Sequence, residues 1–265
     1  MAFPKVTTLK VTQEGSVVTV LLNRPEVRNA FNDVLISDLQ KTFDAISKSK
    51  SIRMVIFKGA GLNFCAGGDL NWMQKSIKLT KAQNLVDTKR LTKMFHTLNA
   101  CPKPVIGFVQ GAAIGGGVGL VSICDYVVAT QETVFSLSEV RLGIIPACIG
   151  PFVVAKIGES YARAYFISAE RFRGKRAYEI GLVHEVVENN DSLLASEKRI
   201  TQNLLQCGPN AMVAAKRLIR EIKTRSYSSS LQFVSKNLAE LRVSPEGQDG
   251  LKAFLEKRKP KWMEQ

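Results

Sequence analysis

KPVIGFVQGAAIGGGVGLVSICD, Lys103 to Asp125, runs from a β-branched apolar stretch through three consecutive glycines, Gly115 to Gly117, into a short helix-compatible stretch. Three residues without a Cβ let the chain approach a ligand closely and take up positive φ, so its N–H groups can point at an oxygen rather than at each other. Residues 104–124 carry no formal charge, which is long enough to mimic a transmembrane helix. Gly107, Gly111, Gly115 and Gly119 even repeat the small-xxx-small spacing of a membrane helix dimer. Six glycines, however, would each burden one continuous helix by about 0.8–1 kcal/mol relative to alanine, and Pro104 with Gln110 and Gly111 reads better as strand, turn, helix. A nucleotide loop fails too. A third glycine would have to fall on Leu120, and no Gly-Lys-Ser/Thr follows any glycine run.

With 265 residues, 45% hydrophobic and 23% charged, the chain can bury one large core, or a core plus a small appended domain. MAFPKVTTLK has one lysine and then alternation instead of an apolar run, so no secretory signal is expected. Cys65, Cys101, Cys124, Cys148 and Cys207 are odd in number and never spaced CxxC, which argues against disulfides and structural zinc and for a cytoplasmic location. His96 and His184 are too few for a histidine-rich metal site, and each reads as a surface or hydrogen-bonded core residue.

The 37 basic residues against 23 acidic ones give a net charge of +14. Lys216, Arg220 and Lys223 fall on one helical face and Met212, Ala215, Ile219 and Ile222 on the other, an amphipathic helix with a solvated basic side. The tail EKRKPKW adds more charge. Such a surface suits an anionic small molecule, a nucleic acid, or solubility alone, and solubility accounts for most of these charges.

Ser16–Asn23 alternates as a strand, and from Asp33 a helix places Leu35, Leu39, Phe43 and Ile46 on one face. Met54–Lys58 reads as a short buried strand. After GAGLNFCAGGD comes helical periodicity through Leu85, Leu91, Met94, Phe95 and Leu98, then strands at Val105–Val109, Tyr126–Ala129 and Thr133–Phe135. Strands separated by helices imply right-handed crossovers and a mainly parallel sheet. From about Gly150 the pattern is helical, with one strand near Val183–Val187. Residues 1–190 are expected to form the α/β core and residues 191–265 a helical domain punctuated by Pro209, Pro245 and Pro260.

Phe64-Cys65-Ala66-Gly67-Gly68-Asp69 and Gly115-Gly116-Gly117 each follow a strand, at the end where parallel sheets place ligands. If those strands are neighbours, one amide from each loop can converge on a single oxygen as an oxyanion hole. The plainer reading is two tight turns.

NRPEVRNAF (Asn23 to Phe31), FCAGGDL (Phe64 to Leu70), GAAIGGGVGLVSICD (Gly111 to Asp125) and SEVRLGIIP (Ser138 to Pro146) resemble, in order and spacing, the crotonase superfamily of enoyl-CoA hydratases and isomerases. FLEKRKPKW (Phe254 to Trp262) is similar to that family's end. The resemblance implies a spiral of ββα units with a C-terminal helical trimerisation region, assembled as trimers or pairs of trimers. It implies an acyl-CoA thioester as substrate, with coenzyme A carried in by that substrate and no separate cofactor or metal. The amides of Gly68 and Gly116 become the oxyanion donors. Ala66, Gly68 and Leu70, with Asp69 in the same loop, take the adenine-binding position; Pro146 closes the fourth motif beside the substrate. Arg28, and Lys257 from a neighbouring subunit, take places where basic side chains approach the CoA phosphates.

Hydratases of this family commonly carry two glutamates, at the positions of Gly119 and Glu139; here the first is absent. Two carboxylates let one activate water while the other protonates C2, so a lone Glu139 must serve both steps or share them. A single glutamate also suits the isomerases that move a proton between C2 and C4. GGDLNWM, GGGVGL, LSEVRLG and YFISAERFRGKRAYEIGLVHEVV resemble bacterial 3-methylglutaconyl-CoA hydratases of leucine breakdown and their relatives. The distal carboxylate of such a substrate calls for a cation, with Arg141 and Lys75 as candidates. Ala147-Cys148-Ile149-Gly150 follows Pro146 where many relatives have several glycines, either reshaping the acyl pocket or merely packing. The expected activity is hydration of a 2-enoyl-CoA. The alternatives are an isomerase, an RNA-binding protein and a non-catalytic acyl-CoA-binding paralogue; nucleic acid is not favoured as the main partner.

Overall fold

A computed structural model describes residues 3–263. Strands β1 (Leu9–Glu14) and β2 (Val17–Leu22) form an antiparallel hairpin, and β3 (Met54–Gly59), β4 (Val105–Val109), β6 (Tyr126–Thr130) and β9 (Glu185–Val187) extend it in parallel, in the order β1-β2-β3-β4-β6-β9. Between them lie β5 (Ala112–Ile114), β7 (Val134–Ser136) and β8 (Phe172–Arg173), which make a second, three-stranded sheet. Every residue of β4 is buried, as expected of a strand covered on both faces. β2 buries only Val18, Val20 and Leu22, the period-2 signature of a strand with one face on the core.

Helix α1 (Asp33–Lys48) is started by Asn32, whose side chain accepts from the Leu35 N–H, and it buries Leu35, Leu39, Phe43 and Ile46 along one stripe. Helices α2 (Leu70–Ile77) and α3 (Lys81–Ala100) cross from β3 to β4. α3 is opened by a capping box between Thr80 and Gln83 and buries Met94, Phe95 and Leu98 near its end, while Leu85 stays exposed. The glycine-rich stretch divides into β4, β5 and α4 (Gly116–Ile123), so the transmembrane alternative is overturned there. Among the described residues no helix is long and apolar enough to cross a membrane.

Helices α5 (Gly150–Ser168) and α6 (Gly174–Glu179) complete this unit, which comprises Val105–Ser196 and the described residues up to Cys101. A second unit holds Pro102–Pro104 and the chain from Glu197 onward, so the division falls inside α7 (Asn190–Leu205), a little beyond the boundary expected at residue 190. It contains α8 (Pro209–Thr224), α9 (Tyr227–Val243) and α10 (Pro245–Leu255).

α8 is a helix as expected, with Arg220 and Lys223 exposed on its basic side; Lys216 is half-buried, its ammonium donating to the Lys103 carbonyl at 3.0 Å, and Ile219 and Ile222 on the opposite face are 67% and 43% exposed. Three strands escaped the sequence reading. β5 and β8 are three and two residues long, too short for any periodicity to register, and β1 opens with only modest alternation.

Candidate active site

The two glycine loops are laced together. The Cys65 N–H donates to the Ala112 carbonyl at 3.0 Å and the Ile114 N–H donates to the Cys65 carbonyl at 3.0 Å, a parallel bridge that sets the turn after β3 against β5. Phe31 holds the other side. Its N–H donates to the Gly67 carbonyl at 2.7 Å, its carbonyl accepts from the Asp69 N–H at 2.9 Å, and a Cβ on Gly116 would sit 2.8 Å from its ring. One buried phenylalanine therefore touches both loops. Gly115, at φ +51° and with its N–H on the Ser136 carbonyl at 2.8 Å, turns the chain into the first turn of α4. Among the described residues, the N–H groups of Gly68 and Gly116 meet no acceptor within the protein.

Glu139 opens a 3-10 turn, Glu139–Leu142, that follows β7. Its carboxyl stands against Gly115, where a Cβ would be 2.9 Å from Oε1; Oε2 is buried without a partner. Burial pushes the Glu139 pKa up, opposed by a bond from its own backbone N–H. A half-buried carboxyl with a free oxygen and a raised pKa is suited to taking and returning a proton.

The place of the commonly found second glutamate is filled by hydrocarbon. A Cβ on Gly119 would collide with Ile149 and lie 2.9 Å from the Phe95 ring. The rings of Phe31 and Phe95 are 5.9 Å apart and those of Phe95 and Phe152 6.1 Å apart, continuing that apolar wall. Cys148 is half-buried beside Thr92, whose hydroxyl lies 3.4 Å from its sulfur.

The other expected site residues are spread around these loops. Ala66 is tied to Arg28 by an N–H to carbonyl bond of 3.0 Å; Arg28 takes φ +54° and leaves its side chain exposed. Leu70 is exposed at the start of α2, and Pro146 is buried with its carbonyl accepting from the Gly150 N–H. Asp69 is already engaged. It pairs with Arg24 at 2.9 Å and caps α2 through the N–H groups of Asn71 and Trp72. Burial pushes its pKa up, but the Arg24 bond and the two N–H donors outweigh that and hold it below the usual carboxylate range. Lys257 is exposed just after α10, in the C-terminal unit. Arg141 is exposed beyond Glu139, and Lys75 lines a cavity of about 300 Å³ with Asp33, Trp72, Asp87 and Arg90. Sequence reasoning gave Phe31 no role, because an apolar residue carries no chemical signature; of the two alternatives for the segment after Pro146, Ile149 is seen to pack, against Gly119.

Interlocked glycine loops with a glutamate beside them on a mixed α/β fold define a crotonase-type enzyme. A family described as enoyl-CoA hydratase/isomerase matches residues 12–265, and the chain belongs to that family, whose members are carbon–oxygen lyases and isomerases. It is similar to the 2,3-dehydroadipyl-CoA hydratase of Escherichia coli, 31% identical over 95% of this chain and 97% of that protein. Among solved structures, an enoyl-CoA hydratase from Shewanella pealeana superposes with a TM-score of 0.92 at 37% identity over 97% of each chain. Pseudomonas aeruginosa AtuE superposes with a TM-score of 0.94 at 33% identity, covering 97% of this chain and 100% of that one.

Proposed function

We propose that this enzyme adds water across the double bond of a 2-enoyl-CoA thioester whose acyl group is branched and carries a second carboxylate. The N–H groups of Gly68 and Gly116 bind the thioester oxygen as an oxyanion hole. Glu139 takes a proton from water as the water oxygen bonds to C3; the π electrons move onto the thioester oxygen as an enolate, and Glu139 then returns the proton to C2. The product is the 3-hydroxyacyl thioester. The observation that carries this reading is the buried, unpartnered Oε2 of Glu139, whose carboxyl stands beside Gly115, next to an amide with no protein acceptor. A dicarboxylic substrate is supported by the name of the Escherichia coli relative.

The apolar wall at Gly119 favours a second reading, a 3-enoyl to 2-enoyl isomerase that needs one carboxylate and no water. Turnover of a panel including crotonyl-CoA and 3-methylglutaconyl-CoA in heavy-oxygen water separates the two, since hydration alone leaves label at C3. Glu139→Gln should lower kcat about 10²–10⁴-fold; wild-type turnover by that variant would sink both readings.

The subunits are further proposed to associate as trimers or pairs of trimers. Ile219, Tyr227, Val243, Phe254 and Leu255 of the C-terminal unit are each more than 60% exposed, more apolar surface than a lone helical unit ordinarily leaves in water.

A further inference from the structure

Two carboxamides hold the turn that leads into the Gly67–Gly68 loop, and the reaction above uses neither. Asn29 is fully buried in the left-handed region, at φ +56°, a conformation asparagine takes more readily than most residues. Both hydrogens of its side-chain nitrogen are engaged on that turn, donating to the Ala60 carbonyl at 2.9 Å and the Asn63 carbonyl at 2.8 Å, while Oδ1 accepts from the Arg24 N–H at 2.9 Å. Gln110, just after β4, takes the alternate carbonyls. Its Nε2 donates to the Gly59 carbonyl at 2.7 Å and the Gly61 carbonyl at 3.0 Å, and its own backbone carbonyl accepts from the Phe64 N–H at 2.9 Å. Each anchor lies at the root of a segment that reaches the glycine loops. Beyond Asn29 comes Phe31, bonded to Gly67 and Asp69; beyond Gln110 comes Gly111, whose Cβ would strike the Leu62 carbonyl, and then β5 and Gly115.

We propose that Asn29 and Gln110 are positioning residues for the Gly68 amide: by fixing four carbonyls of the 59–63 turn from two distant segments, they set where that N–H stands relative to Gly116. The inference rests on the reading of Gly68 and Gly116 as oxyanion donors. A carboxamide suits the task because one nitrogen with two N–H groups satisfies two carbonyls at once, which a hydroxyl or a carboxylate cannot do. Without it both carbonyls lose their partner and the turn shifts to find water. A displacement of about 1 Å in the loop is enough to carry the amide off its line to the oxygen.

Acetoacetyl-CoA reads the two donors without turnover. Its enolate, left when C2 gives a proton to base, absorbs in the near ultraviolet and places negative charge on the thioester oxygen, so the enolate fraction of bound thioester reports the oxyanion site. The parent, saturated with acetoacetyl-CoA, should show the enolate band. Gln110→Met, of similar length but without a donor, should lower that band at saturation about threefold to tenfold, and kcat for crotonyl-CoA or 3-methylglutaconyl-CoA, whichever is turned over, by the same factor. Asn29→Asp, which keeps the acceptor for Arg24 and sets an oxygen against two carbonyls, should act in the same direction. Ile46→Val, which thins the buried core along α1, should lower the melting temperature and leave the band as in the parent. Gln110→Met with the parent's band, or Ile46→Val with a band reduced as far, overturns the proposal while the hydratase reading stands. A parent with no enolate band at any concentration of the thioester ends the oxyanion reading, and the inference with it.

Discussion

Ile149 stands where a side chain at residue 119 would have to go: a Cβ on Gly119 would lie 2.9 Å from both the Ile149 Cβ and the Phe95 ring. Packing therefore favours glycine at this position. Gly119→Glu should destabilise the fold by about 1–3 kcal/mol through overpacking, read as a lowered melting temperature. Adding Ile149→Ala should restore much of that loss. A single Gly119→Glu variant as stable as the parent would show that the wall yields.

Gly116 is constrained from the opposite side, by Phe31. Gly116→Ala would press its Cβ on a ring that is itself pinned to Gly67 and Asp69. Its N–H should be displaced and, with that amide as the proposed oxyanion donor, kcat/KM should drop about 10²-fold. Phe31→Leu in the same chain should recover part of the rate by making room.

Asp69 and Arg24 are 7% and 15% exposed, and Asp69 also caps α2. Asp69→Ala leaves the guanidinium with the Ala30 carbonyl but without its carboxylate partner and should cost about 3 kcal/mol in urea unfolding. Because the carboxyl's pKa is held low in the folded state, its contribution is present above the ordinary carboxylate pKa and fades as pH falls through the folded value. The gap between Asp69→Ala and the parent should narrow in acid.

His184 turns Nδ1 inward to accept the Val127 N–H at 2.9 Å and stacks on Tyr126 at 4.9 Å. Burial, and then the charge of Lys156, push its pKa down to about 4, with Asp125 opposing. A group depressed in the folded state stabilises above its unfolded pKa, near 6.5, and loses that contribution as pH falls toward 4. His184→Gln keeps an acceptor for Val127, and its acid unfolding should be shallower over that window; an unchanged acid profile would contradict this account.

Phe254 is 83% exposed and Leu255 78% exposed at the end of α10. If these side chains are covered in the assembly, Phe254→Asp should shift the mass in light scattering toward monomer at micromolar concentration. A parent chain that is itself monomeric would end the self-association proposal.

The elements that were plain in the sequence are those with a period. α1 announced itself through Leu35, Leu39, Phe43 and Ile46, and β3 and β4 through short apolar runs, because burial of one stripe or of both strand faces writes itself into residue order. The glycine motifs and Glu139 could be found because their spacing resembles a known family. What α8 would cover could not be read in this way, since Ile219 and Ile222 look inward-facing in any helix wheel.

Glycines at 68 and 116, and a glutamate at 139, are facts of composition and order, and their spacing is what resembles the enoyl-CoA hydratase/isomerase family. That Cys65 bonds across to Ala112 and Ile114, that Phe31 spans both loops, and that Ile149 fills the space beside Gly119 are facts of folding. They join residues far apart in the chain through backbone bonds and van der Waals contact, interactions that any apolar residue or any amide can make and that therefore leave no mark in a linear pattern.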